Sequence, residues 1–145
     1  MPEVVKSVLV PYTAEQMFGL VDDVRRYPEF LPWCSGVEVA QHDERILRAT
    51  LQISYRGIQQ RFTTVNKKEP PRWMTIQLVE GPFRALDGEW RFRDLDGRGC
   101  KIEFRLHYEF SNRVLAALVG PVFGHIADTL VEAFVKRAGG VYGPQ

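Results

Sequence analysis

Hydrophobic and polar residues alternate at the start of the chain and then change to a helical period. The alternation over residues 4–10 predicts a strand that Pro11 ends. Thr13 and Gln16 have the spacing of a capping box, and the apolar residues after them recur every three or four positions. The first quarter of the chain is therefore predicted to form one strand followed by one short helix.

Residues 27–34, YPEFLPWC, contain two prolines that are too close for a long helix. A proline is well suited to the first turn of a helix, so this segment predicts one compact helical turn. We expect that turn to place Phe30, Leu31 and Trp33 on the inside.

Between residues 36 and 110 hydrophobic and polar residues alternate with a period of two, and this pattern predicts about six antiparallel strands. The turn signals that separate them are Gly57, Pro70-Pro71, Gly81-Pro82 and Asp96-Gly97. The last strand alternates without a fault, and its apolar side carries Cys100, Ile102, Phe104, Leu106, Tyr108 and Phe110. Such a pattern predicts a sheet with one buried and one solvated face.

After Asn112, a plausible cap, the period predicts a long helix to about Ala138 that stops at Gly139-Gly140. Pro121 should kink it or mark where a short segment joins a longer one. Its apolar stripe consists of Leu115, Leu118, Val122, Ile126, Leu130 and Phe134, widened by Val119 and Phe123. One sheet with one apolar face and one long helix to cover it predicts a single α+β domain over residues 1–145.

The composition is that of a soluble globular domain, with 45% hydrophobic and 26% charged residues among 145. The net charge of +1 excludes a polycation that binds nucleic acid by bulk charge, and no DNA partner is expected. This small net charge conceals an uneven distribution along the chain. Residues 1–44 have a net charge of −5, residues 45–113 have +6, and in residues 114–145 the charges cancel. The predicted outward cations of the sheet are Arg48, Arg61, Arg91, Arg93, Lys101 and Arg105. They could meet the phosphates of RNA or an anionic membrane surface, or they form a solvated face that protects the sheet.

Catalytic chemistry is not indicated. The histidines, His42, His107 and His125, are far apart and are interpreted as solvated, and the two cysteines belong to no metal-binding pattern. Asp87 and Glu89 share a strand face with arginines, which favours salt bridges over an acid and base pair. We therefore predict no catalytic residue and no metal site. The amino terminus does not have the pattern of a signal peptide, and the uncharged run 114–127 is too short and too interrupted to span a bilayer.

The supply of aromatic residues is unusual, with nine Phe, three Trp and five Tyr. Many fall at sheet positions that face the helix. They form either an ordinary core or, if the sheet curves around the helix, a cavity for an apolar ligand lined by Met74, Trp90, Phe104 and Tyr108.

Three separated stretches, residues 27–34, 81–92 and 133–143, together resemble the coenzyme Q-binding and ribosome-association-toxin (RatA-type) family of START-like proteins. The resemblance covers nearly the whole chain. It implies a helix-grip fold of the START/Bet v 1 type, in which a curved antiparallel sheet of about six to seven strands surrounds a long C-terminal helix and leaves a hydrophobic tunnel. The residues it assigns to the tunnel are Phe30, Leu31 and Trp33 at the mouth, and Phe83, Leu86, Trp90, Phe92, Phe123, Leu130 and Phe134 along the wall.

The resemblance also implies two functions. Some members bind ubiquinone or similar lipids in support of respiration, and a bacterial branch blocks the association of ribosomal subunits. Our first hypothesis is a non-enzymatic, bacterial, cytoplasmic protein that holds an isoprenoid quinone or another lipid, with peripheral contact to the inner membrane left open. The alternative is a protein that docks on a ribosomal subunit through the basic sheet face. The cyclase label of the family is discounted, because few polar groups are available for the cavity.

Overall fold

The computed structural model describes residues 3–143. Met1, Pro2, Pro144 and Gln145, which the predicted domain over residues 1–145 includes, lie outside the described residues. The elements in chain order are β1 (Glu3–Val10), α1 (Ala14–Asp22), a 3₁₀ helix (Val24–Glu29), β2 (Cys34–His42), β3 (Ile46–Tyr55), β4 (Ile58–Glu69), β5 (Trp73–Glu80), β6 (Phe83–Asp94), β7 (Cys100–Phe110) and α2 (Arg113–Tyr142).

The seven strands form one antiparallel sheet in the order β1-β7-β6-β5-β4-β3-β2. The long helix α2 packs against α1, β1, β4 and β7. This is the predicted α+β helix-grip architecture, and the predicted six to seven strands are confirmed as seven. Gly88 is needed where β6 passes β7, because a Cβ atom there would lie 2.6 Å from the carbonyl oxygen of Arg105.

Local sequence signals set the start of α1. The Thr13 hydroxyl accepts a hydrogen bond from the Gln16 amide at 3.0 Å, and the Gln16 side-chain oxygen accepts one from the Thr13 amide at 2.9 Å. The predicted capping box is therefore confirmed. The helical turn predicted within residues 27–34 lies earlier, as the 3₁₀ helix Val24–Glu29. Leu31 and Trp33, which follow this helix, are buried as expected.

The end of α2 differs from the prediction. The helix continues through residues 139–140 to Tyr142, and Gly143, at a φ of 79°, is its cap. Tertiary contacts hold this extra turn, since the Tyr142 hydroxyl donates to the Gln16 carbonyl at 3.1 Å. Two glycines weaken a helix by only about 1 kcal/mol each, which such packing overrides.

The apolar stripe of α2 also begins differently. Leu118 is 59% exposed, whereas its neighbour Val119 is 2% exposed. The predicted row from Leu118 to Phe134 advances in steps of four residues, and each such step turns ~40° beyond a full helical turn. The row therefore starts outside the buried face at Leu118 and reaches it at Val122, and the predicted Val122, Ile126, Phe134, Val119 and Phe123 are all buried. The buried face consists of Val119, Val122, Phe123, Ile126, Ala127, Val131, Phe134 and Ala138.

By length and composition α2 could cross a membrane, with a mean hydropathy of 1.7 over its most apolar 18-residue window. The expectation that this region is too interrupted was wrong, because the helix runs unbroken through Gly120, Pro121 and Gly124. The core helix of a soluble protein meets the same criterion. In this fold α2 covers the sheet, but only 28% of that window is buried, and Val114 and Leu118 are exposed. Packing on the sheet therefore accounts for only part of its apolar surface.

Candidate functional site

A cavity of about 90 Å³ lies between the sheet and α2. Seven of the predicted site residues line it, namely Trp33, Met74, Leu86, Trp90, Phe104, Phe123 and Leu130. The opposite wall comes from β3 and β4, where Leu47, Ala49 and Phe62 contribute side chains. The space is far below the roughly 300 Å³ at which pockets for drug-sized ligands begin.

Six predicted site residues do not line this cavity: Phe30, Leu31, Phe83, Phe92, Tyr108 and Phe134. Aromatic packing places them elsewhere. The Phe83 and Tyr108 rings close one end against Phe123, with centroid distances of 4.9 Å and 4.7 Å. Phe134 stands edge-on to Trp90 at 5.5 Å, and Phe92 stacks on the other side of that indole at 5.9 Å. The space expected to be a tunnel is thus mostly filled by side chains.

The cavity has a polar side that sequence reasoning missed. Thr64 and Asn66 on β4 line it, and Lys68 continues the same inward row. The strand was expected after the turn at Gly57 because its apolar residues, Ile58, Phe62 and Val65, follow that turn. Counting every second residue from Phe62 would have identified this inward row. Because the next residues in it are Thr, Asn and Lys, however, the pattern is typical of a solvated face.

Asn66 has an unpaired buried atom. Its Nδ2 atom donates to the Met74 sulfur at 3.5 Å, a weak acceptor. Its Oδ1 atom is buried and has no hydrogen-bond partner among the described residues. Buried acceptors in proteins are normally paired, so this atom marks a place where a further group would be stabilised.

Beside the cavity, Lys68 is held in an ion pair. Its Nζ atom lies 2.6 Å from Asp22 Oδ1, and its side chain is only 2% exposed. His42 was expected to be a solvated turn residue, but its Nε2 atom lies 3.2 Å from the same carboxylate oxygen. Asp43 nearby accepts hydrogen bonds from Gln41 and from two backbone amides, which lowers its pKa to about 2. The cluster joins α1 to β2 and β4.

A surface groove of about 600 Å³ adjoins the cavity, and its walls are residues 30–33, Tyr55 at the end of β3, and α2. Phe30, Leu31 and Trp33 line it, and Trp33 alone of these three lines the cavity as well. Arg137 lies over the Phe30 ring at 4.9 Å and donates to Glu29 at 2.8 Å. The residues expected at a tunnel mouth therefore lie together at a groove, and Trp33 separates this groove from the interior.

The outer face of β6 and β7 carries the predicted basic residues in ordered cross-strand pairs. At four positions on this face, titratable side chains of β6 and β7 lie directly opposite each other. Three of these rows pair an acidic with a basic residue: Asp87 with His107, Glu89 with Arg105, and Arg91 with Glu103. The fourth row opposes two cations, Arg93 and Lys101. Within the part of the chain that the structure describes, neither has a salt-bridge partner. The positive charge is thus largely neutralised except at this row, where like charges oppose each other at a cost in stability.

The remaining titratable groups show no catalytic arrangement. Cys34 and Cys100 are buried, and desolvation raises the pKa of each thiol to about 11, in keeping with inert thiols. His107 lies 3.1 Å from Asp87, and the ring of His125 stacks on Tyr55 at 5.8 Å. Within residues 3–143 there is no group of three His, Cys, Asp or Glu side chains suited to a metal ion.

Comparison with known proteins identifies the family. Residues 10–135 match the family described as polyketide cyclase/dehydrase and lipid transport. The chain belongs to this family. Within it, the chain is similar to the ribosome association toxin RatA of Vibrio cholerae, with 45% identity over 143 residues and 99% of both chains covered. Membership of the coenzyme Q-binding and RatA-type family of START-like proteins, expected from three motifs, is therefore confirmed.

A more distant sequence relative and a solved structure of similar fold extend the comparison. The mitochondrial coenzyme Q-binding protein COQ10 homolog B of Xenopus laevis is 29% identical over 144 residues, covering 97% of this chain and 59% of that protein. The crystal structure of TTHA0849 from Thermus thermophilus has a TM-score of 0.79 at 19% identity, covering 94% of this chain and 97% of that one. At that identity the likeness supports the START-like fold alone.

Proposed function

We propose that this protein binds a ribosomal subunit and hinders the joining of subunits. The observation that carries the proposal is the 45% identity, over 99% of both chains, to a relative named as a ribosome association toxin. This was the second hypothesis drawn from the sequence, and the comparisons favour it over the first.

The outer face of the sheet supplies a contact suited to a ribosome. RNA presents phosphates, and arginine and lysine bind phosphates with little competition where no carboxylate already pairs with them. Arg93 and Lys101 meet that condition, whereas Arg91 lies 3.0 Å from Glu89 and Arg105 lies 3.6 Å from Asp87. We assign the first contact with RNA to the row of Arg93 and Lys101 rather than to the whole basic face.

Sedimentation of purified subunits with the protein tests this proposal. The wild type should decrease the fraction of joined ribosomes and cosediment with one subunit in a salt-dependent manner. Arg93→Gln with Lys101→Gln should weaken binding and reduce the slope of log affinity against log salt by about 1–2. Arg91→Gln with Arg105→Gln is the matched control, since it removes two exposed cations from the same two strands that are already paired with Glu89 and Asp87. No effect of the wild type on subunit joining would refute the function, and equal effects of both double variants would refute the assigned contact.

A second candidate function, binding of an apolar ligand such as an isoprenoid quinone, rests on the cavity and on the name of the Xenopus relative. A volume of about 90 Å³ holds no prenyl chain. A quinone would need the indole of Trp33 to move, so that its ring lies in the cavity and its tail in the groove along α2. Each CH₂ buried there would contribute about 0.8 kcal/mol.

Extraction followed by mass spectrometry tests the second candidate. Protein purified from quinone-producing bacteria should yield a quinone in stoichiometric amount. Ala49→Leu, which fills the cavity wall, should abolish recovery, whereas Ala116→Leu at an exposed site of α2 should not. Recovery of no lipid from the wild type would count against this function.

Both functions are proposed as non-enzymatic and as those of a bacterial, cytoplasmic protein. The relative from Vibrio cholerae supports the bacterial setting. Absence of turnover with polyketide-like substrates is the expected result, because Tyr27 is the one ionisable side chain among the described residues that line the cavity. Its hydroxyl donates to the Val21 carbonyl, and burial raises its pKa.

A further inference from the structure

The unpaired Oδ1 atom of Asn66 points to a definite ligand chemistry. A buried amide oxygen can only accept a hydrogen bond, so the group that satisfies it must donate one. Asn66 lines the cavity together with Thr64, and the register places both on β4 opposite Leu47 and Ala49 of β3. These polar side chains lie on the β4 side of the cavity, and the other walls are apolar apart from Tyr27, whose hydroxyl donates to the Val21 carbonyl.

The size and walls of the cavity limit the rest of the ligand. An apolar cavity of roughly 150 Å³ accepts benzene. The present cavity of about 90 Å³ is somewhat smaller, but Met74 forms part of its wall. Methionine side chains are flexible and adapt to irregular shapes, so a single ring fits after a small displacement of Met74. The indole of Trp90 and the ring of Phe104, 4.4 Å apart, form an aromatic wall suited to such a ring.

We propose that the cavity binds a compact ring that carries a hydroxyl group, with the hydroxyl donating a hydrogen bond to Asn66 Oδ1. Phenols, including a quinol headgroup, belong to this class. A quinone headgroup meets this requirement only in its reduced, quinol form, since the oxygens of the oxidised form only accept. The inference rests on the second candidate function and gives it a ligand class and a residue that determines specificity.

Phenol and toluene are suitable probes because they differ by a hydroxyl in place of a methyl group. Binding is measured by calorimetric titration and by the NMR signal of the Met74 methyl group. In the wild type we expect both probes to shift this signal. Asn66→Leu keeps the side-chain size and removes the acceptor, so the ratio of the toluene Kd to the phenol Kd should fall at least about tenfold. Comparing the ratio between variants cancels the different hydration of the two probes.

Gln77→Leu on the exposed side of β5 is the matched control and should leave the ratio unchanged. Anisole, which accepts but does not donate, should behave like toluene. An unchanged ratio in Asn66→Leu would overturn the hydroxyl assignment while leaving ligand binding in place. Binding of neither probe to the wild type would overturn both the assignment and the second candidate function, and would leave a buried water as the partner of Asn66.

Discussion

Strands β4 and β7 belong to one sheet and face the same interior, but their inward rows differ in chemistry. The row of β7 is apolar, with Cys100, Ile102, Phe104, Leu106 and Tyr108. The row of β4 begins with Phe62 and continues with Thr64, Asn66 and Lys68. The side chains of β7 form apolar core, and those of Phe104 and Leu106 are also apolar cavity wall. The row of β4 instead supplies polar side chains to the cavity and meets the carboxylate of Asp22 on α1.

The difference separates two tasks of the sheet. An apolar row is stabilised by removing its surface from water, and any strand can use it for packing. A buried polar row costs free energy unless each group has a partner, so its presence indicates a structural or binding role. Lys68 has its partner in Asp22, and Asn66 has no partner for its oxygen. The first is structural, and the second is the candidate for ligand recognition.

The largest expected effect is on β7. Phe104→Ala removes a ring that is 2% exposed, and should lower the free energy of unfolding by about 3–5 kcal/mol because it leaves a cavity. Urea denaturation followed by circular dichroism measures this change. Glu103→Gln on the outward side of the same strand should change stability by no more than about 0.5 kcal/mol. A loss for Phe104→Ala as small as this would mean that β7 is not the packing strand.

The ion pair of β4 should give the next largest effect. Lys68→Met retains the aliphatic packing but leaves the Asp22 carboxylate without its cation, which should cost about 2 kcal/mol. The cost is below that for a fully buried pair, since the Asp22 side chain is 23% exposed. Asp22→Asn in the Lys68→Met background should recover part of the loss. If Lys68→Met were as stable as the wild type, the ion pair would not hold α1 to β4.

Changing one inward position from polar to apolar, or from apolar to polar, should have a smaller effect on stability. The size of this effect should differ between β4 and β7. Thr64→Val replaces the hydroxyl in the cavity wall by a methyl group, and should change stability by no more than about 1 kcal/mol. Ile102→Thr, the opposite kind of change on β7, should cost about 2 kcal/mol because it buries an unpaired hydroxyl. Thermal unfolding of both variants measures the contrast. Equal costs would mean that the two inward rows tolerate polarity equally.

The smallest effect concerns Asp43 beside the buried lysine. Its pKa is lowered from 3.8 to about 2, mainly by the hydrogen bond from Gln41 and those from the amides of Arg45 and Ile46, with Lys68 the smallest cause. Since the folded state has the lower pKa, the stabilisation is complete above pH 3.8 and is lost as the pH falls towards 2.

NMR titration of the Asp43 carboxyl carbon checks this value. Lys68→Met should raise the pKa only slightly, and Gln41→Ala should raise it more. A larger rise in Lys68→Met would mean that charge, rather than hydrogen bonding, controls this loop.

Sequence reasoning succeeded where one physical signal dominated a segment. The capping box of Thr13 and Gln16 is local, and the alternation of β7 reports burial on one face, so both were predicted. It failed where distant segments compete. The turn at residues 139–142 is helical because Tyr142 contacts Gln16, and the row of β4 was missed because Lys68 owes its burial to Asp22, 46 residues away.

The candidate site was partly predictable for the same reason. Seven of the thirteen predicted residues line the cavity, because apolar inward positions of the sheet and helix can be identified from their period. The six others are also aromatic or aliphatic. Whether such a side chain borders a space or fills it depends on its neighbours, as with Phe83 against Phe123. The period of the hydrophobic residues shows which face of a strand or helix is buried. It does not show which side chains pack against that face.

By itself, the sequence determined the fold class, the main strands and helices, the apolar interior and the net positive charge of the sheet, because these depend on local propensity and on the period of hydrophobic residues. Only the tertiary structure decided the size of the cavity, the unpaired oxygen of Asn66 and the pairing of charges on the outer face. These depend on which residues of different strands lie opposite each other. Register and side-chain packing set those distances, and they follow from the whole chain at once.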